Sequence, residues 1–417
     1  MRLWTRDFRG NCRPRRVLLL VENLPVPFDR RVWQEARALH DLGLSVSIIC
    51  PTGRDCQRKF EAIDGIHIYR YNLPVEASGA VGYAVEYGIA LFWSFVLAWW
   101  VLLTRGFDAI HACNPPDLFF LVGGFFKLFG KKFVFDHHDL GPELYEAKFH
   151  RRGVLHRLLL MLERCTFLTA DVSIATNESY RRIAIERGRM PPERVFVVRS
   201  GPCLERMKIS PPDQRLKCGR RHLVGYVGVM GKQEGLDYLL RAVRIIVLGH
   251  GRTDVHFALV GGGTSLEEMK ALAVDLDIAD YVTFTGRVPD NEMLAVLNTA
   301  DLCVNPDIAN DMNDLSTMNK IMEYMALGKP IVQFDLKEGR YSAERASLYA
   351  KRNDTCDFAL KIVELLNNPV RRAAMGEYGR WRVQSELDWR HQVPNLRAAY
   401  EALWSATEVQ PREASAS

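Results

Sequence analysis

Three polar residues with complementary chemistry fall within one helical pattern: Asn319, Lys320 and Glu323. Residues three and four positions apart share or adjoin one face of an α-helix, so the glutamate follows the other two by about one turn. If Ser316 or Thr317 caps the helix, its first N–H groups and the lysine form a phosphate site, and the glutamate can accept hydrogen bonds from a ribose diol. The spacing alone fits an amphipathic core helix with a surface Lys–Glu pair equally well.

Two histidines and an aspartate form a second candidate group. His137, His138 and Asp139 follow an apolar run at Lys132–Asp136 that predicts a buried strand. A single histidine is most often structural, but ligands of open α/β sheets bind outside the carboxyl ends of the strands. This pair is therefore predicted to face a ligand, with Asp136 and Asp139 available to orient it.

Further polar residues follow two other predicted strands of the first half. Asp29, Arg30 and Arg31 open a helical pattern after the first strand, and His111 and Asn114 mark the end of a later one. Because a helix start favours anions, one of the arginines is predicted to meet a phosphate, although a solvated helix start explains the same residues.

The elements that must position these residues alternate between strand and helix. Strands are predicted at Arg16–Val21, Ser45–Cys50, Ile66–Tyr71, Ala109–Cys113 and Lys132–Asp136, and then at Leu223–Val229, Val255–Val260, Tyr281–Thr285, Leu302–Pro306 and Pro330–Phe334. Helical patterns between them, such as 31–42, 236–247 and 266–276, indicate βαβ units and parallel sheets. The fold class is therefore α/β, with two doubly wound, Rossmann-like domains that hold a site in the cleft between them.

Composition shifts set the predicted boundaries. The first domain is predicted at 1–200, a Pro- and Gly-containing linker at 201–222 and the second domain at 223–386. A C-terminal helix that crosses back to the first domain is predicted at 387–405, and a disordered tail at 406–417.

The bulk composition excludes several classes of protein. The 417 residues, 48% hydrophobic and 25% charged, suffice for two cores of an ordinary globular protein. The net charge of +5 suits contact with phosphates or an anionic membrane surface but is too small and too evenly spread for a nucleic-acid-binding protein. Nine cysteines without a C-x-x-C pair indicate reduced core residues of a cytosolic protein, not disulfides or metal ligands.

One apolar segment admits three interpretations. Gly88–Leu103 (GIALFWSFVLAWWVLL) has no charged residue and three tryptophans. It is shorter than the roughly 20 residues of a spanning helix, and Glu86 and Arg105 stand close on either side. A buried helix of the first domain and a helix in the membrane interface fit the segment equally well, and a true span is the third interpretation.

The chain resembles glycosyltransferase family 4, retaining enzymes of the GT-B fold, over nearly its whole length. Asp314–Asp335 (DLSTMNKIMEYMALGKPIVQFD) is similar to the C-terminal signature of that family, in which two glutamates eight positions apart flank the donor. Glu323 matches the second, which contacts the nucleotide ribose. The first would fall on Leu315, so the adjacent Asp314 is the expected substitute. The Asn-Lys-x-x-Glu core resembles the branch common in bacterial surface-polysaccharide enzymes.

Three other segments resemble the donor loops of the family. Gly225–Gly235 resembles the phosphate loop, although Val229 and Glu234 stand where the family often has arginine and lysine, and Lys232 is the only basic residue there. Residues 259–263 resemble the second loop, and residues 284–289 resemble the segment whose backbone meets the base. A glycine-rich loop is by itself weak evidence, because a plain tight turn explains it more often. The resemblance assigns donor binding to Gly228, Gly231, Lys232, Gly261, Gly262, Arg287, Val288, Asp314, Ser316, Asn319, Lys320 and Glu323.

The resemblance implies retaining transfer of a sugar from a UDP- or GDP-sugar to a hydroxyl acceptor. His138 matches the histidine beside the anomeric centre, and the expected catalytic set is His138, Asp139 and Lys320. The expected acceptor side comprises Asp29, Arg30, Arg31, His111, Asn114 and His137. No metal and no other cofactor is expected, because a lysine and helix N–H groups neutralise the leaving group. The acceptor is expected to be a lipid-linked glycan of surface-polysaccharide synthesis, met by a cytoplasmic enzyme in peripheral contact with the membrane.

Two rival functions share this pattern. A GT-B-fold sugar-nucleotide epimerase would keep the domain plan and the phosphate site but would need acid–base groups for proton abstraction and no membrane-facing helix. A catalytically degenerate, membrane-associated assembly protein would explain the missing glutamate at Leu315, and it would bind a nucleotide sugar without turnover.

Overall fold

The computed structural model describes residues 4–6, 12–53, 56–73, 79–149 and 151–405. The chain divides into two compact units. The first unit comprises Met1–Glu146, Arg151–Val198 and Gln392–Ser417, and the second comprises Ala147–His150 and Arg199–His391. The predicted linker therefore lies within the second unit, and the predicted disordered tail falls outside the described residues.

The first unit is built on a largely parallel sheet. A short antiparallel pair, β1 (Trp4–Arg6) and β2 (Cys12–Pro14), precedes it, and its strands are β3 (Arg16–Leu20), β4 (Ser45–Pro51), β5 (Phe60–Ile63), β6 (Ile66–Tyr71), β7 (Ala109–Cys113), β8 (Lys132–His137), β9 (Val172–Ala175) and β10 (Val195–Val197). The order is β10-β9-β8-β7-β3-β4-β6-β5, with β5 alone antiparallel to its neighbour. The order reverses between β3 and β7, so the polar residues after these strands lie at a topological switch point.

Among the residues that the structure describes, six α-helices belong to this part of the chain. They are α1 (Arg30–Asp41), α2 (Gly79–Thr104), α3 (Phe120–Lys127), α4 (Gly141–Phe149), α5 (Val154–Thr169) and α6 (Glu178–Glu186). Asp29 caps α1 by accepting a hydrogen bond from the Val32 N–H at 3.1 Å, and Val32, Ala36 and Leu39 of that helix are fully buried.

Helix α2 is longer and more exposed than a core helix. Its stretch Val85–Thr104 is long and apolar enough to cross a membrane, yet only 22% of the 18-residue window with this property is buried. Ala90, Ser94, Ala98 and Val101 form the buried line, at intervals of three and four residues. The interpretation of this segment as a buried core helix is therefore wrong, and the interpretations that involve a membrane stay open.

The second unit is a parallel, doubly wound sheet. Its strands are β11 (His222–Val227), β12 (Val255–Val260), β13 (Val282–Gly286), β14 (Leu302–Asn305), β15 (Ile331–Phe334) and β16 (Ser347–Ala350), in the order β13-β12-β11-β14-β15-β16. This is the 3-2-1-4-5-6 order of dinucleotide-binding folds, which reverses between β11 and β14. The predicted α/β class with Rossmann-like domains is confirmed.

Helices pack on both faces of the second sheet. They are α7 (Leu236–Arg244), α8 (Leu266–Asp275), α9 (Asp290–Thr299), α10 (Asp311–Leu315), α11 (Asn319–Ala326), α12 (Lys337–Ala343), α13 (Thr355–Leu366) and α14 (Pro369–Arg382). One core joins α7 and α13 to the sheet, and the other joins α9 and α11 to it. The helix predicted over 236–247 ends in a π turn at Ile245–Gly249.

The chain then re-enters the first unit through α15 (Val393–Ser405), which contacts β9 and β10. This helix begins six residues later than predicted, because 387–391 form short helical turns in the second unit.

No disulfide joins the eight cysteines whose side chains are described. Cys50, Cys113 and Cys303 are buried, whereas Cys218 and Cys356 are exposed. The expectation that the cysteines are core residues is therefore wrong for these two.

Candidate active site

The switch point of the second sheet carries a buried cation between two carboxylates. Glu234 follows β11 and Asp307 follows β14, the strands between which the order reverses. Lys320, in the first turn of α11, donates from Nζ to Glu234 Oε2 at 2.6 Å and to Asp307 Oδ1 at 2.7 Å. Its Nζ also lies 5.1 Å from the ring centre of Tyr226. Ligands of doubly wound sheets bind at such a point.

The charges of this cluster depend on one another. Burial opposes a charge on Lys320, yet the carboxylates of Asp307 and Glu234 hold the pKa of its ammonium well above the ordinary value. Burial, against the attraction of Lys320, raises the pKa of Asp307 to about 7. The second oxygen of Asp307, Oδ2, is buried and has no hydrogen-bond partner among the described residues. An incoming phosphate would thus have to share the lysine with two acids.

A tyrosine of α11 closes the gap between the two strands below this cluster. Strands β11 and β14 pair at only two positions. Beyond these, the Tyr324 hydroxyl accepts a hydrogen bond from the Val227 N–H at 2.9 Å and donates to the Val304 carbonyl at 3.3 Å. The helix that carries Lys320 is therefore fixed to both strands.

The start of α11 differs from the prediction. Met318 is its N-cap, and it supplies no side-chain acceptor. Ser316 instead donates to the Met312 carbonyl at 2.7 Å, at the end of α10. The predicted caps, Ser316 and Thr317, are wrong. Asn319, the first residue of the helix, is exposed.

The predicted glycine loops pack closely against each other. A Cβ at Gly261, whose φ is +134°, would lie 1.9 Å from the Gly228 carbonyl oxygen. Loop packing therefore accounts for Gly261 without a ligand. Beside Gly262, in contrast, the nearest atom to such a Cβ is the Arg287 backbone nitrogen at 3.9 Å. Gly262 is thus the glycine of this pair at which a ligand could approach the backbone.

The other predicted donor residues lie in the loops at the same edge of the sheet. Gly231 is buried and Lys232 exposed after β11, whereas after β13 Arg287 is exposed and Val288 is half-buried against the core. Asp314 accepts hydrogen bonds at Oδ1 from the Lys337 N–H at 2.9 Å and from Arg352 at 2.6 Å. Its carboxylate therefore anchors the loop before α12, which is a structural role beside its predicted one.

Glu323 has a charged partner that the sequence did not indicate. Arg206 donates from Nη1 to Glu323 Oε1 at 3.0 Å and from Nε to Asp290 Oδ2 at 2.7 Å. Burial opposes the charge of Arg206, but these two carboxylates raise the pKa of its guanidinium. The carboxylate predicted to meet the ribose is thus held by an arginine 117 positions away.

In the first unit, Arg31 is buried and ion-paired. Its guanidinium donates to Asp136 Oδ1 at 2.7 Å and Oδ2 at 3.1 Å, and it lies 2.9 Å from Glu35 Oε1. Only 7% of the Arg31 side chain is exposed. The prediction that Arg31 lines the acceptor side is therefore wrong, because the residue belongs to the interior. Arg30 is exposed, and Asp29 serves as the cap of α1.

His111 is also enclosed, contrary to its predicted acceptor role. It is fully buried, with Nδ1 2.8 Å from the Tyr400 hydroxyl and Nε2 3.4 Å from Glu35 Oε2. Burial raises the pKa of Glu35 well above its usual range, whereas the charge of Arg31 overcomes burial and holds the pKa of Asp136 well below it.

Four side chains of this interior group have the chemistry of metal ligands. The ligand atoms of Glu35, His111, Cys113 and Asp136 lie within 4.8 Å of one another. The guanidinium of Arg31 already supplies a positive charge to both carboxylates. The group therefore fits a charge-neutralised ion-pair network better than a cation site.

The two adjacent histidines differ in burial: His137 ends β8, and His138 follows it. His137 is fully buried among Phe135, Phe167 and Tyr180, with ring centres 5.0–5.3 Å apart, and burial lowers its pKa to about 3. Its predicted acceptor role is therefore wrong. His138 is half-buried, with Nδ1 3.7 Å from Asp136 Oδ2.

Asn114 fixes the loop that carries His138. Its Oδ1 accepts hydrogen bonds from the His138 N–H at 2.8 Å and the Asp139 N–H at 3.0 Å, and its Nδ2 donates to the Asp139 carbonyl at 2.6 Å. Asn114 itself is only 2% exposed, so it supports the loop instead of lining a surface. Burial raises the pKa of Asp139, against the charge of nearby His138.

Two family models match the chain, a glycosyl transferase 4-like domain over residues 29–201 and glycosyl transferases group 1 over 221–368. A relative from Corynebacterium glutamicum, a GDP-mannose-dependent monoacylated alpha-(1-6)-phosphatidylinositol monomannoside mannosyltransferase, is 28% identical over 162 residues, which are 38% of this chain and 41% of the relative. The match thus spans less than half of that relative. These matches favour neither the epimerase nor the degenerate assembly protein.

Two solved structures share the fold. Sucrose-phosphate synthase from Thermosynechococcus elongatus superposes with a TM-score of 0.76 at 18% identity, over 94% of this chain and 100% of that one. HepE of Anabaena in complex with UDP-glucose superposes with a TM-score of 0.70 at 16% identity, over 92% of this chain and 98% of that one. At such identities the likeness concerns the fold.

Proposed function

We propose that this chain, which belongs to glycosyltransferase family 4 and has the predicted GT-B fold, transfers a sugar from a nucleoside diphosphate to a hydroxyl acceptor with retention. The observation that carries the proposal is the position of Lys320. It lies at the switch point of the second sheet, in the first turn of α11 and one turn before Glu323.

The donor would bind along the carboxyl edge of the second sheet. Lys320 and the start of α11 would meet the diphosphate, and Glu323 would accept hydrogen bonds from the ribose. The backbone at Gly262 and Val288 would approach the phosphates and the base. UDP- and GDP-sugars are the proposed donors, because relatives or neighbours carry UDP-glucose or use GDP-mannose.

A diphosphate beside the carboxylates of Glu234 and Asp307 would be repelled by them, so binding requires that the negative charge of this pair decreases. Asp307, whose pKa is raised to about 7, can gain a proton near neutral pH. In our proposal the donor binds when Asp307 is protonated. The Lys320 ammonium then donates a hydrogen bond to the phosphate and stabilises its negative charge.

In the reaction, the bond from the anomeric carbon to the phosphate oxygen breaks and a bond to the acceptor oxygen forms on the same face. The proton of the acceptor hydroxyl passes to the departing diphosphate. His138 would position the sugar, held by the Asn114 contacts to its backbone and by Asp136. No protein nucleophile, metal or other cofactor is proposed.

The proposed acceptor is a lipid-linked glycan at the cytoplasmic face of a membrane, in surface-polysaccharide synthesis. Support comes from α2 and from the Corynebacterium glutamicum relative, whose name specifies a phosphatidylinositol monomannoside as substrate. This helix exposes Phe92, Trp93, Trp100 and Leu103, with 40–77% of each residue accessible. Tryptophan at the edge of such a surface fits the headgroup region of a bilayer.

A second helix with exposed arginines, α5, packs against the same neighbour as α2. Helix α3 contacts both α2 and α5. Helix α5 exposes Leu158 and Met161 at 40% and 53%, and Arg157 and Arg164 are exposed on the same helix. An apolar surface with arginines suits an anionic lipid surface, so we propose peripheral contact through α2 and α5.

A thermal-shift screen with UDP, GDP, dTDP and their sugars tests the proposal. A nucleotide at 100 times its Kd should stabilise the fold by about 2.7 kcal/mol. Lys320→Ala and Glu323→Ala should each lower kcat/KM for sugar transfer by more than threefold. If no nucleotide raises the unfolding temperature of the chain, the proposal is wrong. Activity of both variants within about threefold of wild type would refute the roles of these two residues.

A further inference from the structure

Arg206 joins two parts of the second unit that are far apart in sequence. Its Nη1 donates to Glu323 of α11 at 3.0 Å, and its Nε donates to Asp290, the first residue of α9, at 2.7 Å. Asp290 directly follows residues 284–289, the segment predicted to meet the nucleotide base. One guanidinium thus connects the predicted ribose contact with the predicted base loop.

The two ion pairs differ in their burial. The Glu323 side chain is 13% exposed and that of Arg206 22%, whereas the Asp290 side chain is 50% exposed. Solvent screens the pair with Asp290, so the pair with Glu323 is the stronger constraint. The third guanidinium nitrogen, Nη2, is buried and has no hydrogen-bond partner among the described residues. Nη2 takes part in neither ion pair, and a buried donor without a partner is costly.

We propose that Arg206 is a positioning residue for ribose recognition: it holds the Glu323 carboxylate oriented toward the sugar of the nucleotide. This inference rests on the proposed function. A carboxylate can accept several hydrogen bonds, so the bond from Arg206 leaves capacity for a ribose hydroxyl. The planar guanidinium serves two acceptors in fixed directions, which a lysine ammonium cannot do.

The consequence is a preference for ribonucleotides that depends on Arg206. If Arg206 is replaced by Met, Glu323 loses its fixed orientation and its contact with the ribose weakens. Contacts to the base and phosphates are made by other residues, so deoxynucleotide binding should change much less than ribonucleotide binding. A merely structural role would weaken both by the same factor.

The test is isothermal titration of the full chain with matched nucleotides: UDP or GDP, and the 2′-deoxy and 3′-deoxy forms of each. In wild type, at least one deoxy form should bind about tenfold more weakly than the ribonucleotide. Arg206→Met and Glu323→Gln should each reduce this ratio to less than about twofold. Arg206→Lys should give an intermediate ratio, and the control Asp290→Asn should keep the wild-type ratio.

The outcomes separate the two hypotheses. A wild type that binds neither UDP nor GDP overturns the proposed function and this inference with it. A ribose preference that persists in Arg206→Met, or is absent from wild type, overturns this inference while nucleotide binding stands. If Arg206→Met does not fold, as judged by circular dichroism, Arg206→Lys decides: an unchanged ratio overturns the inference, and a reduced ratio supports it.

Discussion

The Nζ atom of Lys320 lies 2.7 Å from Oδ1 of Asp307, so a buried lysine and a buried aspartate share one crevice at the carboxyl edge of a parallel sheet. Replacing the lysine with Met would leave Asp307 and Glu234 facing each other without a cation. We expect Lys320→Met to lower the free energy of unfolding by about 3–5 kcal/mol, measured by urea denaturation. Lys232→Met is the matched control, since exposed Lys232 should change that energy by less than about 0.5 kcal/mol. Equal effects of the two variants would contradict the buried pair.

Nucleotide affinity should depend on the protonation of Asp307. Its pKa of about 7 makes it neutral below that pH and ionised above it. Because an ionised Asp307 repels the diphosphate, we expect UDP or GDP affinity in wild type to fall about tenfold from pH 6 to pH 8. The control is Asp307→Asn. Glu234, Lys320 and Tyr226 surround position 307 in wild type and in this variant alike, so the two proteins differ only in the titrating carboxylate.

That control should bind more tightly at pH 8 and show a flatter profile in titration calorimetry. Ionisation of the diphosphate itself cancels in the comparison. Parallel profiles for wild type and Asp307→Asn would show that Asp307 does not control binding.

Two neighbouring glycines should respond differently to alanine. Gly261→Ala combines a φ of +134° with a Cβ 1.9 Å from the Gly228 carbonyl oxygen, so it should cost at least about 2 kcal/mol of stability. Gly262→Ala meets no atom closer than 3.9 Å, so the variant should fold normally and lose nucleotide affinity. Thermal unfolding and nucleotide titration distinguish these outcomes. Full affinity in Gly262→Ala would mean that the donor does not approach this backbone.

Buried His137 should make the fold sensitive to acid. The folded state binds its proton only near pH 3, whereas an exposed histidine binds one near about pH 6.5. Between these values the unfolded chain holds an extra proton, so stability falls by about 1.4 kcal/mol for each unit by which the pH drops. His137→Phe, packed among the same aromatic rings, should lose less stability from pH 6.5 to pH 4.5. Identical slopes in urea unfolding would contradict a neutral His137.

Contact with a membrane should depend on α2 and α5. Trp93→Gln with Trp100→Gln, or Arg157→Glu with Arg164→Glu, should reduce cosedimentation with vesicles of anionic phosphatidylglycerol by at least about fivefold. Trp381→Gln is the control, because Trp381 is 53% exposed in the second unit. Loss of binding in the control, or retention in both double variants, would rule out this surface.

Much of the fold followed from period and composition. Strands β6, β7 and β12 begin and end at the predicted residues, because turn residues such as Gly65, Asn114 and Gly261 bound them. The sequence did not predict β9, β10 or β16, which have three or four residues each. A run of three or four residues is too short to show the alternation of apolar and polar residues that marks a strand. Pairing with neighbouring strands determines that it is one.

The candidate site was predictable only in part. The alternation of β8 could have shown that His137 shares a face with Phe133 and Phe135 and so enters the core. No local pattern could reveal the partner of Glu323, because Arg206 lies 117 positions away in a segment without periodicity. The same holds for Arg31, whose partner Asp136 is 105 positions distant. The fold, and not the local sequence, brings these charges together.

Tyr324 gives the crevice between β11 and β14 a floor. Where the two strands diverge, their backbone N–H and carbonyl groups no longer bond to each other. The Tyr324 hydroxyl bonds there to one backbone group of each strand. The depth to which a ligand can enter is therefore set by a side chain of the same helix that carries Lys320 and Glu323. Tyr324→Phe would remove the hydroxyl that joins the two strands while leaving the ring and every charge above it in place.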